Sequence, residues 1–489
     1  MIDSAKQNAG IAAIQAALGR NAVVRDKKSL ARFADGARPA AIVYPDSVEQ
    51  IGRVLAAAQS AGAQVQPVCN GDSPSGKKVV PGAIVIDMKR MNKILEVNSD
   101  LAYCLVEPGV TYRQLADYLK ANGQKLWVDN PGSPDESVAA SFIARQAGYT
   151  PYADHHLFQC GLEVMLADGK VVRTGMGAMP KSTCWQLFKF GYGPWIDGLF
   201  SQSHNGVVTK VGMWMMPEPP GYQPFMVTVP REQDLQPLLE MLGPLKTNMI
   251  IPNGVAVANA LHEAALLGKK RSDFAGSGPM AGGAVADAAK SLNVGYWNLY
   301  GSLYGLPDNV AMAWGMVRGA FSSIPGAQVF TAQDRSGDRL WAWREAMMRG
   351  SVAAPPASVA AWGGGDALSV HPMTPVDGEE ALRLYELSRN TMARHGFDYV
   401  GEANAIWRAA HHDQTLSHAP GDRAAAARAE ACARELIAAQ ASAGFGQVFA
   451  DPSLVPTAAA TYAANGGALG DLHRRIKTAL DPRGLFASV

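Results

Sequence analysis

Residues 69–78 read CNGDSPSGKK and lie between an apolar run and the strand-like segment AIVIDM. Gly71, Ser73, Ser75 and Gly76 suit a backbone cradle for phosphate, where glycine permits close approach and free N–H groups bind the anion. Asp72 and Pro74 oppose that reading, one by adding negative charge and the other by removing a donor. Lys77 and Lys78 offset the charge if they fold inward, and a plain solvent turn fits the same residues. Asp135 and Glu136 form the next candidate, an adjacent carboxylate pair that could serve as a catalytic acid. Ser133 to Glu136 also reads as a helix start, with Pro134 in the first turn and acids complementing the dipole. His411 and His412 in WRAAHHDQTLSH could act as bases or as points of covalent attachment. Tyr149, Tyr152 and Asp154 precede His155 and His156, so Asp154 could orient an imidazole. His204 and Asn205 sit in the turn SQSHNGVVTK, where a turn role is the simpler reading.

The elements needed to hold these groups are legible. In residues 40–60 a short strand stops at Pro45, and Asp46 and Ser47 can cap a helix whose apolar face is Val48, Ile51, Val54 and Leu55. Strands follow at AQVQPV, GAIVIDM and LAYCLVEPGV, then a helix over TYRQLADYLKANG that ends at Gly123. CGLEVMLADGKVVRTG reads as a hairpin turning at Asp168 and Gly169, and GVVTKVGMWMMPEPP as a strand ended by prolines. Pro217, Pro219 and Pro220 mark a boundary, beyond which βα-like segments alternate. A long helix runs from Arg423 to Ala443, and the tail LGDLHRRIKTALDPRGLFA is a helix and a turn that can return to the first domain.

The 489 residues carry a formal net charge of +1, with no long basic run, which argues against nucleic acid or an anionic membrane as partner. Five scattered cysteines show neither zinc nor disulfide spacing, so no metal is expected and a reducing compartment is. The N-terminal stretch lacks a signal-peptide layout and no apolar run spans a bilayer, so the expectation is a cytoplasmic protein.

The strings PDSVEQIGRVLAAAQSAG, GYTPYADHH, GLEVMLADGKVVRTGMGAMP, YGPWIDGLFSQSHNGVVTKVGMWMMP and LDPRGLFA resemble the vanillyl-alcohol oxidase and p-cresol methylhydroxylase family. The resemblance implies an α+β fold: a two-part PCMH-type FAD-binding domain, residues 1–217 and 456–489, with a central α/β cap domain, residues 218–455. It implies FAD, hydride transfer from a para-substituted phenol to the flavin, and oligomers with copies of the chain, a homologous flavoprotein subunit or a cytochrome subunit. Carried onto this sequence, it places cofactor contacts at Gly71, Ser73, Gly76 and Tyr149, in the turn holding Ser203, Gly206, Val207 and Thr209, and a flavin tether at His411. Asp135, His412 and Tyr152 are the candidate catalytic residues.

The sequence departs from the family at its chemistry. Both glycine-rich phosphate loops carry acids, at Asp72 and at Asp135–Glu136. The family's phenolate-binding tyrosine and arginine fall at Val448 and Phe449, which can neither donate hydrogen bonds nor neutralise an anion. The family's acid near the flavin falls at Gly132. The losses cluster at cofactor and phenolate contacts while the framework survives. Two readings follow: an FAD-dependent oxidoreductase with an aromatic or alkylphenol-like substrate, or an FAD-free homologue that is a silent partner subunit or performs non-redox chemistry.

Overall fold

The structure, a computed structural model, describes residues 2–31, 33, 38–70 and 79–487. The predicted phosphate loop, including Gly71, Ser73 and Gly76, lies outside the described residues.

Near the N-terminus, Asp3 caps the helix Ser4–Leu18 by accepting from Ala5 and Lys6 N–H, and Ser47 caps Val48–Ser60 by accepting from Gln50 N–H. These helices cover a four-stranded sheet in the order Val23–Val24, Ala41–Val43, Ile84–Asp87, Val65–Val68. The first pairing is antiparallel, and the two pairings that involve Ile84–Asp87 are parallel, as expected for strands joined through helices. The tail closes this sheet: Phe486 bridges Val65, Ala487 N–H donates to the Val65 carbonyl, and Gln64 donates to the Gly484 carbonyl.

A second, antiparallel sheet runs Ile94–Asn98, Tyr103–Val106, Val207–Trp214, Gln159–Met165, Val171–Arg173. The helix Tyr112–Ala121 packs on it through Tyr112, Leu115 and Leu119, and starts with a reciprocal cap between Thr111 and Gln114. The turn at Gly169 has φ 82°, a conformation glycine adopts without strain.

Past Pro217 the chain builds one eight-stranded antiparallel sheet, in the order Gln328–Thr331, Gly221–Val229, Trp297–Gly305, Val255–Asn259, Val400–Ile406, Ala409–His418, Asp366–Pro375, Gln447–Ala450. Period-2 alternation gives it two faces of different character. Phe225, Val227, Leu299, Val257 and Ala403 point to helices Leu235–Thr247, Gly378–Arg394 and Arg423–Ser442 and form the largest core. The opposite face carries Tyr300, Glu402, Asn404 and His411 toward the first two sheets. The molecule is therefore an α+β protein in which a helix-backed sheet lies with its polar face against a nucleotide-binding-type unit.

Ser133–Glu136 does not open a helix. The helix begins at Val138, capped by Ser137, because Asp135 and Glu136 are drawn aside into side-chain contacts. Among the described residues no helix is long and apolar enough to cross a membrane.

Phe486 is 1% exposed and fills the core beneath the parallel sheet. Phe486→Ala is expected to destabilise the protein by about 3–5 kcal/mol. Urea unfolding checks this, and a loss below about 1 kcal/mol would show that the tail adds nothing to that core.

Candidate functional site

The site begins with Asp129, which is 7% exposed. It accepts the N–H groups of Tyr149 and Thr150 at 3.1 and 2.7 Å and meets His155 Nε2 at 2.8 Å. His155 Nδ1 meets Ser141 Oγ at 2.7 Å, and the ring stacks on Phe142 at 4.6 Å. These are the residue types of a nucleophile triad, but Ser141 and His155 are fully buried, so the set holds a loop rather than attacking a substrate. Asp154, expected to orient a histidine, instead caps the short helix His155–Phe158 through Leu157 N–H. A Cβ at Gly148 would lie 1.5 Å from Asp129, which requires glycine there.

The loop that Asp129 holds is where the cap docks. Asn404 donates to the Gly148 carbonyl, Asn253 to the Tyr149 carbonyl, and Gly254 N–H to the Thr150 carbonyl. Tyr149 donates its hydroxyl to Glu402 at 2.9 Å, so this oxygen is spent inside the protein, and burial pushes the phenol far above its usual pKa. Glu402 shares the buried Arg344 guanidinium with Glu263, at 2.5 and 2.8 Å, and the guanidinium lies over the Tyr300 ring. Burial pushes the Glu263 carboxyl above its ordinary range. Burial acts the same way on Glu402, but the closer Arg344 outweighs it and holds this carboxyl low. His262, Glu263 and Glu402 converge with the geometry of cation ligands. The cation between those carboxylates is Arg344 itself.

The second half of the site is the seam between cap and nucleotide-binding-type unit. His411 and His412 are split by strand alternation. His412 points to the helix side, meets Thr374 at 2.9 Å, and burial depresses its pKa to about 3. His412, expected as a catalytic residue, is thus placed in the core on the helix side of the sheet. His411 faces the seam, half-buried, and its Nδ1 has no hydrogen-bond partner; the same holds for His156 across from it. Asp154 and Arg145 act electrostatically on both rings. Arg145 ends the turn after the helix Val138–Ile143 with φ 59° and donates to Gln202, which in turn donates to the Ala144 and Val448 carbonyls. Phe449 stands edge-on to His371 at 5.7 Å.

The remaining expected residues separate clearly. Tyr152 stacks on Phe158 at 4.1 Å, with burial raising its pKa. Asp135, expected as a catalytic acid, is exposed and paired with Arg113 at 2.8 Å. Ser203 donates to the Leu199 carbonyl, and Thr209 spends its hydroxyl on Glu163. Val207 is buried in the core beneath the parallel sheet, and a Cβ at Gly206 would meet Val164 at 2.6 Å. In this turn the Ser203 hydroxyl and the Asn205 amide both donate to the Leu199 carbonyl. Sequence reasoning missed Asp129, Arg145, Gln202, Glu263, Arg344 and Glu402. Glu402 had a signal, as the one charged residue of the strand Val400–Ile406.

The residues that could hold a dinucleotide fit it at two places. A cavity of about 620 Å³ adjoins residue 70 and is lined by Asn70, Lys89, Arg90, Asn92, Gly109, Thr111, Arg113, Gln114 and Asp135. It presents three cations and one carboxylate, and that carboxylate is neutralised by Arg113, which suits a pyrophosphate. At the seam, the unpartnered nitrogens of His156 and His411 suit the polar edge of a ring.

Residues 39–175 match the family model of the FAD binding domain, so the cofactor of this scaffold is FAD. The hydroxylating 4-cresol dehydrogenase flavoprotein subunit of Pseudomonas putida is 31% identical over 455 residues, 92% of this chain and 87% of the relative. The chain belongs to the vanillyl-alcohol oxidase and p-cresol methylhydroxylase family. Within that family, p-cresol methylhydroxylase with substrate bound superposes with a TM-score of 0.95 at 29% identity, covering 99% of this chain and 96% of the other. The 4-ethylphenol oxidase of Gulosibacter chungangensis gives 0.94 at 31% identity, covering 99% and 97%. The 1'-carboxy-chondrochloren decarboxylase of Chondromyces crocatus is 32% identical over 308 residues, 57% of each chain.

Arg344→Met would leave two buried carboxylates without a cation, an expected loss of about 3–5 kcal/mol at neutral pH. In the variant both carboxyl pKa values lie above their unfolded values. Their protonated forms therefore support folding below pH about 4.3, and this support is lost as pH rises through the raised folded values. Relative to the parent, the variant should be least impaired near pH 5 and most impaired near pH 8 in urea unfolding. A pH-independent difference would exclude the unpaired carboxylates as the cause.

Proposed function

We propose that this protein is an FAD-dependent oxidoreductase that oxidises an aromatic, alkylphenol-like substrate enclosed between the cap and the cofactor-binding unit. The observation that carries this reading is the seam: Arg145, His156 and Gln202 from one unit meet His411 and Val448 from the other, with two imidazole nitrogens unpartnered. Bound FAD would supply a hydride acceptor. Lys89 and Arg90 would neutralise its pyrophosphate, and the backbone of the 203–207 turn would face its ring. Burial depresses the His411 pKa, so the ring is neutral near pH 7 and its open nitrogen can accept a proton from a substrate. Trp195 stands beside the His156 ring and Phe449 beside His371. Electrons would then pass to oxygen or to a cytochrome or homologous flavoprotein subunit, and assembly of copies of the chain accords with the relative from Pseudomonas putida, itself a subunit.

A second reading, an FAD-free partner subunit or a non-redox enzyme, rests on one observation. The strand Gln447–Ala450 offers an apolar Val448 and a Phe449–His371 ring contact where a phenolate-binding pair is expected.

An absorbance spectrum before and after acid precipitation separates the two. The expected result is a flavin band in the native protein. Colour retained in the pellet, and lost from the pellet in His411→Ala, would assign His411 as a covalent tether. A protein that stays colourless after incubation with FAD would overturn the oxidoreductase reading.

A further inference from the structure

We propose that the seam recognises the carboxylate of an aromatic acid, with Arg145 as its cation and the His156 and His411 rings beside it. The inference rests on the oxidoreductase reading for what happens to the substrate, but not for its binding.

Three observations lead there. First, Arg145 has no carboxylate partner among the described residues; its hydrogen bond goes to neutral Gln202, and it is open to solvent. A guanidinium carries five donors in a planar fork, so most of that capacity faces the seam unused. Arg145 directly follows the helix Val138–Ile143, and its φ of 59° closes that helix end, with Arg145 N–H donating to the Phe142 carbonyl and Gln146 N–H to the Ser141 carbonyl. Second, Gln202 joins Arg145 directly to the backbone of Val448. The positive charge that the strand Gln447–Ala450 lacks is therefore presented from the other side of the same gap, one side chain away. Third, His156 and His411 each bring a buried nitrogen without a hydrogen-bond partner into the electrostatic reach of Arg145.

The chemistry selects a carboxylate over a phenol. A phenol, with a pKa near 10, is neutral at pH 7, and binding it as an anion needs several strong donors to shift that equilibrium. Val448 and Phe449 provide none. A carboxylate is already ionised and matches the guanidinium fork with two parallel hydrogen bonds. Asp154 lies in reach of the same groups, but its carboxylate is engaged as the cap of His155–Phe158.

The test is isothermal titration of the full-length protein, as purified, with 4-methylbenzoate and with 4-methylanisole, which keeps the ring and lacks the anion. The parent should bind 4-methylbenzoate at least tenfold tighter. Arg145→Gln should abolish that preference while changing 4-methylanisole affinity less than twofold and leaving flavin content unchanged. Arg145→Lys, which keeps the charge and loses the fork, should weaken 4-methylbenzoate at least threefold, and decides the matter if Arg145→Gln does not fold. Equal affinity of the parent for both ligands, full preference in both variants, or loss of flavin from Arg145→Gln would overturn the proposal, the last by assigning Arg145 to the cofactor. Flavin content is read separately from absorbance: a colourless protein with Arg145-dependent carboxylate binding keeps this inference and removes the redox reading, whereas a coloured one without it does the reverse.

Discussion

The Asp129 carboxylate is the point on which the site depends. Buried, it would be costly if unpaired, and it is satisfied by two backbone N–H groups and the His155 ring. Those three contacts set the course of residues 148–155, and the course of those residues sets where the cap can sit. Asn404, Asn253 and Gly254 all bond to the backbone that Asp129 holds. The approach is so close that a Cβ at Gly254 would lie 2.4 Å from the Gly148 carbonyl. One carboxylate thus fixes the register between the two halves of the molecule, and the Tyr149–Glu402–Arg344–Glu263 chain extends that fixation into the cap interior.

Around this rigid joint the seam is bordered by groups from several elements. The strand Gln447–Ala450 brings apolar groups to the gap, yet the gap is not apolar, because Arg145 and two imidazoles border it from other elements. A cation moved from a strand to a neighbouring loop would retain attraction for an anion while changing the angle from which it is held.

The elements were legible because their signals are local. Thr111 with Gln114, Ser47 with Gln50, and the glycine at position 169 each declare a helix start or a turn within four residues. The His411–His412 pair shows the limit of local reading. Its sequence cannot say which ring faces the seam, and the strand pairing that puts His411 opposite Asn404 and His412 opposite Ala403 decides it. Asp135 and Glu136 looked like a reactive pair because their partners, Arg113 and Gln146, are distant in sequence terms and ordinary in type. Arg344 and Glu263 meet across 81 positions, and nothing in either local stretch names the other.

The closure of the parallel sheet by residues 484–487 bears on the order in which the chain can fold at the ribosome. Gln64 waits for Gly484 across 420 positions, whereas the cap sheet is assembled from one continuous stretch. Domains generally fold as they emerge, and long-range closure comes late. The cap can therefore reach its native form before residues 484–487 close the parallel sheet, and the nucleotide-binding-type unit is the later of the two to be sealed.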